Sequence, residues 1–408
     1  MLRVLSTGVT GLRANQAALD VIGNNVANIN TSGFKASRAS FADLMSQTLS
    51  SEQAPTTNTG GKDAMQIGLG TGLGAIRSIF SQGVIATTDH QTDLAIQGNG
   101  LFVLQNGSDT IYSRSGAFSI DADGKLIDST TGYRVQGTGG DVTIAPGSTI
   151  AGNATTQSVF GGNLDASQAD GTTHVATFTV NDSLGVARTL TVTFTKDFAG
   201  GAGQWDWAVT ESDANITGLA GATGTIDFDS AGAISAGATG ALSITYAAAA
   251  GVTTPQAVTL DFGSATNTVP MTGFAGTSTA AMTSQDGFAA GSLQSFGIGT
   301  DGSIIGSYDN GRTQTIDQLA LAIFANPAGL VREGQNLFRE SENSGPASVG
   351  NAGSGGRGTL MAGALEGSNV DLAREFTELI SAQRGFEASA RIIRAGDEVL
   401  QTVVNLMQ

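Results

Sequence analysis

The sequence has no cysteine among its 408 residues, and only six prolines and two histidines. The first absence removes disulfides, thiolate metal ligands and cysteine nucleophiles, whatever the compartment. Scarce histidine takes away the commonest general base and metal ligand. His90 and His174 stand apart, neither beside a Gly-x-Ser-x-Gly elbow nor at a metal-type spacing, and both read as surface or strand residues. Charge is sparse as well: charged residues make up 13% of the chain, 19 basic against 35 acidic, for a net charge of −16. No basic cluster is present that would neutralise phosphates, so nucleic acid is not an expected partner. No run approaches the 18 or more apolar residues of a membrane-spanning helix, and no membrane insertion is expected. Residues 1–30 lack the basic, apolar, small-residue order of a cleavable signal, so any export is expected to use another route.

What is present is apolar and turn-rich, 40% hydrophobic with 58 glycines, in a chain long enough for two or three domains. Motifs that resemble chemistry fail on inspection. Gly68-Leu69-Gly70-Thr71-Gly72-Leu73-Gly74 has no preceding apolar strand and no Lys-Ser/Thr to follow, and reads as an extended, flexible connection. Asp121-Ala122-Asp123-Gly124 starts like a calcium loop but has Gly132 where the twelfth-position Glu is needed. Asp227 and Asp229 share a strand face with nothing to pair them across a cleft. No catalytic, cofactor-binding or metal-binding residue is therefore expected, no cofactor is called for, and the chain does not read as an enzyme.

Helical periodicity is confined to the two ends. From residue 2 to about 29, apolar residues recur at Leu5, Val9, Leu12, Leu19 and Val26, interrupted at Gln16 and Gly23 and widened by Ile22 and Ile29. This predicts a helix about 40 Å long with a narrow, coiled-coil-like seam. Gly8, Gly11 and Gly23 each cost it up to about 1 kcal/mol, so it needs a partner. The other end supplies one: Leu372, Leu379, Phe386, Ile393, Leu400 and Met407 recur every seven residues, with Phe376, Ile380, Ile392 and Val403 beside them. Its start is read at Ser368-Asn369-Val370-Asp371, which has the capping-box shape. Such helices could simply pack on a globular core. Their terminal placement favours assembly instead, beyond Ser-, Gly-, Asn- and Thr-rich stretches at 48–61 and 341–358 that read as flexible hinges.

Between the ends the period falls to two. Leu190, Val192 and Phe194 alternate with Thr189, Thr191, Thr193 and Thr195, a neighbouring strand at 174–180 precedes them, and Trp205, Trp207 and Val209 alternate further on. These are half-buried antiparallel strands of a sandwich or barrel. A strand–turn–strand unit recurs at 120–126, 228–234 and 298–304, read as hairpins on two-residue turns at Asp123-Gly124, Ala231-Gly232 and Asp301-Gly302. The expected fold class is mixed, mainly β: discontinuous sandwich- or barrel-like β domains, with long N- and C-terminal helices pairing as a coiled-coil-like inner domain. The expected organisation has residues 1–30 and 369–408 as a helical polymerisation domain and 31–70 and 345–368 as a connecting segment. Residues 71–149 and 288–344 form a β-rich middle domain, and 150–287 an inserted β-rich outer domain.

Two ordered signatures stand at the ends. Leu19-Asp20-Val21-Ile22-Gly23-Asn24-Asn25-Val26-Ala27-Asn28, then Thr31, Gly33-Phe34-Lys35 and Phe41-Ala42-Asp43, resembles the N-terminal signature of the flagellar rod and hook axial proteins. Ser368-Asn369-Val370-Asp371 with Glu375-Phe376, Leu379-Ile380 and Gln383-Arg384-Gly385-Phe386-Glu387 resembles their C-terminal one. Further matches, such as Leu94 to Val103, Tyr112 to Phe118 and Asn326 to Leu330, extend the resemblance over all but about 150–287. Rod members of that family look shorter and lack such an insert, so the insert implies a hook subunit, with a distal rod protein, or a β-rich surface adhesin of another class, as the alternatives.

The resemblance implies a helical homopolymer forming a curved, hollow tube, a flexible joint between rod and filament, outside the cell. It implies export through the flagellar type III apparatus without a cleaved signal. The implied partners are further copies of the chain, the distal rod protein, the hook cap and the hook–filament junction protein. It also implies terminal helices that are disordered in the monomer and pair only on assembly. The residues expected at subunit interfaces are Leu5, Val9, Leu12, Leu19, Ile22, Val26 and Ile29 with Leu372, Phe376, Leu379, Phe386, Ile393 and Leu400. Asn24, Asn25 and Asn28 are expected either to finish the first helix or to bond to a neighbour.

Overall fold

The computed structural model of the chain describes residues 2–55 and 59–406. Met407, the last position of the C-terminal heptad pattern, lies outside them, as does the side chain of Val403. The architecture is mainly β, with one long α-helix at each end: α1 (Leu2–Ala27) and α2 (Leu372–Leu406). Two compact units are present, one built from Met1–Ala145, Phe296–Ile305 and Thr315–Gln408, the other from Pro146–Ser295 and Gly306–Gln314.

The second unit is a sandwich of two sheets. One is an antiparallel five-stranded sheet in the order Thr173–Asn181, Ala187–Lys196, Gln204–Glu211, Thr223–Phe228 and Ile234–Ala236. Strict alternation puts Phe178, Leu190, Val192, Phe194, Trp205 and Trp207 on one face, while the intervening threonines stay outside it. The other sheet has six strands, among them Gln157–Asn163, Thr239–Tyr246 and Gln256–Asp261, with the first running parallel to the last. Its inner residues Phe160, Leu242, Ile244, Leu260 and Phe262 close the same core. Phe160 meets Phe178 edge-on at 5.3 Å and Phe194 meets Phe262 at 6.0 Å, the arrangement that ring quadrupoles favour. His174 lies in this unit as strand structure, its Nε2 2.9 Å from the Ala280 carbonyl.

The first unit centres on a ten-stranded sheet. Its middle strand, Leu101–Asn106, is apolar on both faces because both are covered: Leu101, Phe102, Val103 and Leu104 are all buried. Leu94–Gln97 pairs with Thr359–Ala362, and Ile85–Thr87 with Ala364–Glu366, so that the chain leading into α2 is stitched to the chain following α1.

Two sequence expectations need correction. Parts of the stretches read as flexible carry paired strands: 48–50 of the first hinge, 348–351 of the second and 71–74 of the glycine-rich connection, while residues 56–58 of the first hinge lie outside those described. Ser46–Ser50 pairs with Met65–Gly68, Ser37–Asp43 pairs with Thr71–Ser78, and Ser348–Asn351 pairs with Ala320–Ile323. Serine, threonine and glycine are compatible with a strand once a partner satisfies the backbone. Gly70 in particular is needed for close approach: at φ +115, an added Cβ would lie 2.3 Å from Thr10 Oγ1 of α1. Second, the recurrent hairpins do not turn on two left-handed residues. Only the glycines take positive φ, at Gly124, Gly232 and Gly302. A preceding aspartate builds the rest of two of the loops: Asp121 Oδ1 accepts from the Asp123 and Lys125 N–H groups, and Asp229 Oδ1 from those of Ala231 and Ala233; in the third, Gly299 stands there and Asp301 Oδ1 accepts the Ser303 N–H.

Candidate assembly surface

α1 and α2 pack antiparallel in a register that small residues define. A Cβ added to Gly8 would lie 2.9 Å from Ile393 Cγ1, and one on Gly11 3.0 Å from Ser389 Oγ. On the other helix, a Cβ on Gly385 would reach 2.7 Å from Asn15 Oδ1, and one on Gly396 3.0 Å from Leu5 Cδ2. Each pair of residue numbers sums to about 400, as an antiparallel pairing of equal rise requires. The glycines that weaken each helix locally are thus the points where the two backbones come closest. In this structure the two helices pair within one chain.

This seam runs through Gly8, Gly11, Asn15 and Asn25; Gly8, Gly11 and Asn25 each stand one residue before a member of the expected stripe, and Asn15 one before its interruption at Gln16. One residue is about 100° of helix rotation, so Val9, Leu12 and Val26 are turned away from the seam. Val9 is 39% exposed, Leu372 40% and Phe376 50%, while Leu12, Leu19, Val26, Ile29, Leu379, Phe386 and Leu400 are half-buried. Of the predicted residues, the structure brings Leu5 and Ile393 into the intrachain seam and buries Ile22 and Asn25. Ile380, Ile392 and Val399 add to the apolar surface left open on α2.

The asparagines divide. Asn25 is buried: its Nδ2 donates to the Ser37 carbonyl at 2.8 Å and to Glu375 Oε2 at 3.2 Å, and its Oδ1 accepts the Ser37 N–H at 2.9 Å. It therefore joins α1, α2 and the first strand, and burial pushes the Glu375 carboxyl up. Asn28 Nδ2 finishes the helix on the Asn24 carbonyl at 2.9 Å, leaving Asn24 itself exposed. The cap of α2 is displaced from its expected place. Asp371, not Ser368, accepts the Ala373 N–H at 2.9 Å. Asn369 is committed elsewhere, accepting the Ala36 N–H and donating to the Ile79 carbonyl, both at 2.7 Å.

Beneath the helices lies a buried ionic joint that sequence reasoning missed. Glu366 Oε1 accepts from Lys35 Nζ and from the Gly83 N–H, each at 2.7 Å, and its Oε2 from Arg114 Nε at 2.5 Å. Lys35 also donates to the Ser81 carbonyl, and Arg114 to those of Ile96 and Gly98. Lys35 and Glu366 are each 1% exposed at the side chain. Burial alone would push the Glu366 carboxyl up, but Arg114, Lys35 and the Gly83 N–H outweigh it and hold it below the usual carboxylate range. Burial pulls the Lys35 ammonium down in spite of Glu366. Lys35 does sit in the Gly33-Phe34-Lys35 motif; Glu366 had no local signal, because its partners come from far along the chain.

Four family models match the chain in order. They are flagella basal body rod protein at 5–35, flagellar hook protein FlgE/F/G D1 domain at 95–160, flagellar basal body protein FlaE D2 domain at 148–288, and flagellar basal body rod FlgEFG protein C-terminal at 361–406. The flagellar hook protein FlgE of Treponema pallidum is 38% identical, covering 100% of both chains. This chain belongs to the flagellar hook protein family. Its hook relatives include that of Escherichia coli, 35% identical over 98% of this chain and 99% of the other. The flagellar basal-body rod protein FlgG of Bacillus subtilis is 31% identical over 100% and 99%. Among solved structures, Helicobacter pylori flagellar hook protein FlgE2 aligns with a TM-score of 0.50 at 13% identity, covering 69% of this chain and all of that one. The hook family thus shares its fold as well as its sequence with this chain.

Proposed function

We propose that this chain is the repeating structural subunit of the bacterial flagellar hook, and that it works by assembly and not by catalysis. The observation that carries the proposal is the terminal helix pair. In a chain matched end to end by hook proteins, the helices bind each other through glycines and leave Val9, Leu372, Phe376, Ile380, Ile392 and Val399 open. Apolar surface of this kind is stabilised when neighbouring copies cover it. The curved tube is the flexible joint between rod and filament, outside the cell, and its subunits leave through the flagellar type III apparatus without a cleaved signal. Beyond its own copies, the partners are the distal rod protein, the hook cap and the hook–filament junction protein.

Electron microscopy of purified material tests this, once with the intact chain and once without residues 369–408. Curved tubes from the intact chain that vanish on truncation support the proposal. Polymers that persist without α2 contradict it.

A further inference from the structure

A half-buried cation of the first unit, Arg332, has no answering charge among the described residues. Arg332, in the strand Val331–Gly334, lies with its guanidinium carbon 5.2 Å from the Phe34 ring and 5.8 Å from the Phe338 ring. It donates to the Lys35 carbonyl, while its Nε is buried without a partner. Among the described residues no carboxylate is within ion-pairing distance: Glu333 pairs with Arg339, and Glu366 with Lys35 and Arg114. Arg114 and Arg188 each reach an acid, and the half-buried Arg357 is satisfied by the carbonyls of Leu321, Ser348 and Ser354. A half-desolvated charge left unpaired is costly, and burial accordingly lowers the Arg332 pKa with nothing to offset it.

Above this guanidinium is a cavity of about 260 Å³, edged by amides: Asn24 and Asn28 from the end of α1, and Gln335 and Asn336 from a tight turn. Gln335 and Asn336 both take left-handed φ, at +49 and +61. A two-residue hairpin turn demands this conformation, which asparagine tolerates and glutamine does not favour. Asn336 is held by donating to the Ser32 carbonyl at 2.8 Å, which fixes the turn over the cavity.

We propose that this cavity is a socket for a carboxylate side chain supplied by a second copy of the chain. A guanidinium beside two rings keeps N–H hydrogens beyond the one given to the Lys35 carbonyl, which a carboxylate accepts, and side-chain amides add neutral donors. The volume is smaller than the roughly 300 Å³ at which pockets for whole small ligands begin, and suits one inserted side chain. A second copy is the occupant because the proposed polymer brings copies together and because the chain carries 35 acids against 19 bases. The inference rests on the hook reading and adds a polar, charge-selective contact to its apolar ones.

Carbodiimide coupling of tubes assembled from Arg332→Lys chains tests it, since an amine touching a carboxylate is joined to it as an amide. Mixing isotope-labelled and unlabelled copies separates joins between chains from joins within one. The expected product links position 332 to an Asp or Glu of a differently labelled chain, and is absent with Arg332→Gln. Arg332→Gln should also raise the critical concentration for assembly at least about tenfold, with the 222 nm ellipticity of the soluble chain and its melting unchanged. Coupling only within one chain, or none in well-formed tubes, overturns the socket and leaves the hook reading standing. If the unaltered chain forms no tubes, both fall.

Discussion

The sandwich and the helix pair solve the burial problem in opposite ways. In the sandwich, Phe160, Phe178, Phe194, Trp205 and Phe262 are fully buried, supplied by two sheets of the same unit. Each such side chain contributes about 1.5–3 kcal/mol. The helix pair, 26 and 35 residues long, buries only Ala14, Ile22 and Ala382 among its described hydrophobic side chains and leaves larger ones exposed. Two helices joined through glycines gain close backbone contact but little apolar area. The sandwich is thus complete as a folded object, whereas the helix pair has the contacts that set its register and lacks those that would stabilise it.

That contrast can be broken by selective substitution, because Trp205 and Trp207 are the only tryptophans and report on the sandwich, while the ellipticity at 222 nm reports on the helices. Trp205→Ala empties the sandwich core and should cost about 3–5 kcal/mol, moving the Trp207 fluorescence transition to lower denaturant while the helical transition stays in place. A common shift of both signals would mean that the regions are not energetically separate.

Glu366→Gln should do the reverse. It leaves Lys35 and Arg114 buried without a counter-charge, at about 3–5 kcal/mol, and should lower the melting of the helices and their base but not the fluorescence transition. The same residue sets a pH dependence. Because its folded pKa is depressed, its contribution is complete above the ordinary glutamate pKa of about 4.3 and is lost as pH falls through the lower folded value. Acid titration of the 222 nm signal should therefore lose a step in Glu366→Gln; an unaltered acid transition would remove the joint from the account.

Smaller effects sharpen the comparison within the helix pair. Asn25→Ala strands the buried Ser37 amide and Glu375, and should cost about 1–3 kcal/mol, read as a lower helical melting temperature. Asp371→Ala removes the cap of α2 and should cost about 1 kcal/mol. Ser368→Ala should cost less than Asp371→Ala, and the opposite ranking would restore the earlier cap position.

Much of this was legible in the chain. The alternation of Leu190, Val192 and Phe194 with threonine announces a sheet with one buried face, and the period of two does not depend on distant partners. The helices announce themselves by their heptads, but not their facing. The apolar stripe Leu5, Val9, Leu12, Leu19 and Val26 is the visible pattern, yet the seam follows Gly8, Gly11 and Asn15 one residue earlier. Glycine carries no hydrophobic signal, so close packing of backbones escapes a reading based on apolar spacing. The strands at 48–50 and 348–351, inside the stretches read as hinges, were missed for a related reason, since small polar residues are neutral until a strand partner is known. Glu366 was invisible because its meaning lies in Lys35 and Arg114, 331 and 252 positions away.

The claim that the helix pair is completed by its neighbours, whereas the sandwich is complete alone, is tested most directly by amide hydrogen exchange on the soluble chain and on assembled tubes. The account predicts a large gain of protection in α1 and α2 on assembly, and none in Thr173–Asn181, Ala187–Lys196 and Gln204–Glu211. Equal protection of α1 and α2 in both states would contradict it.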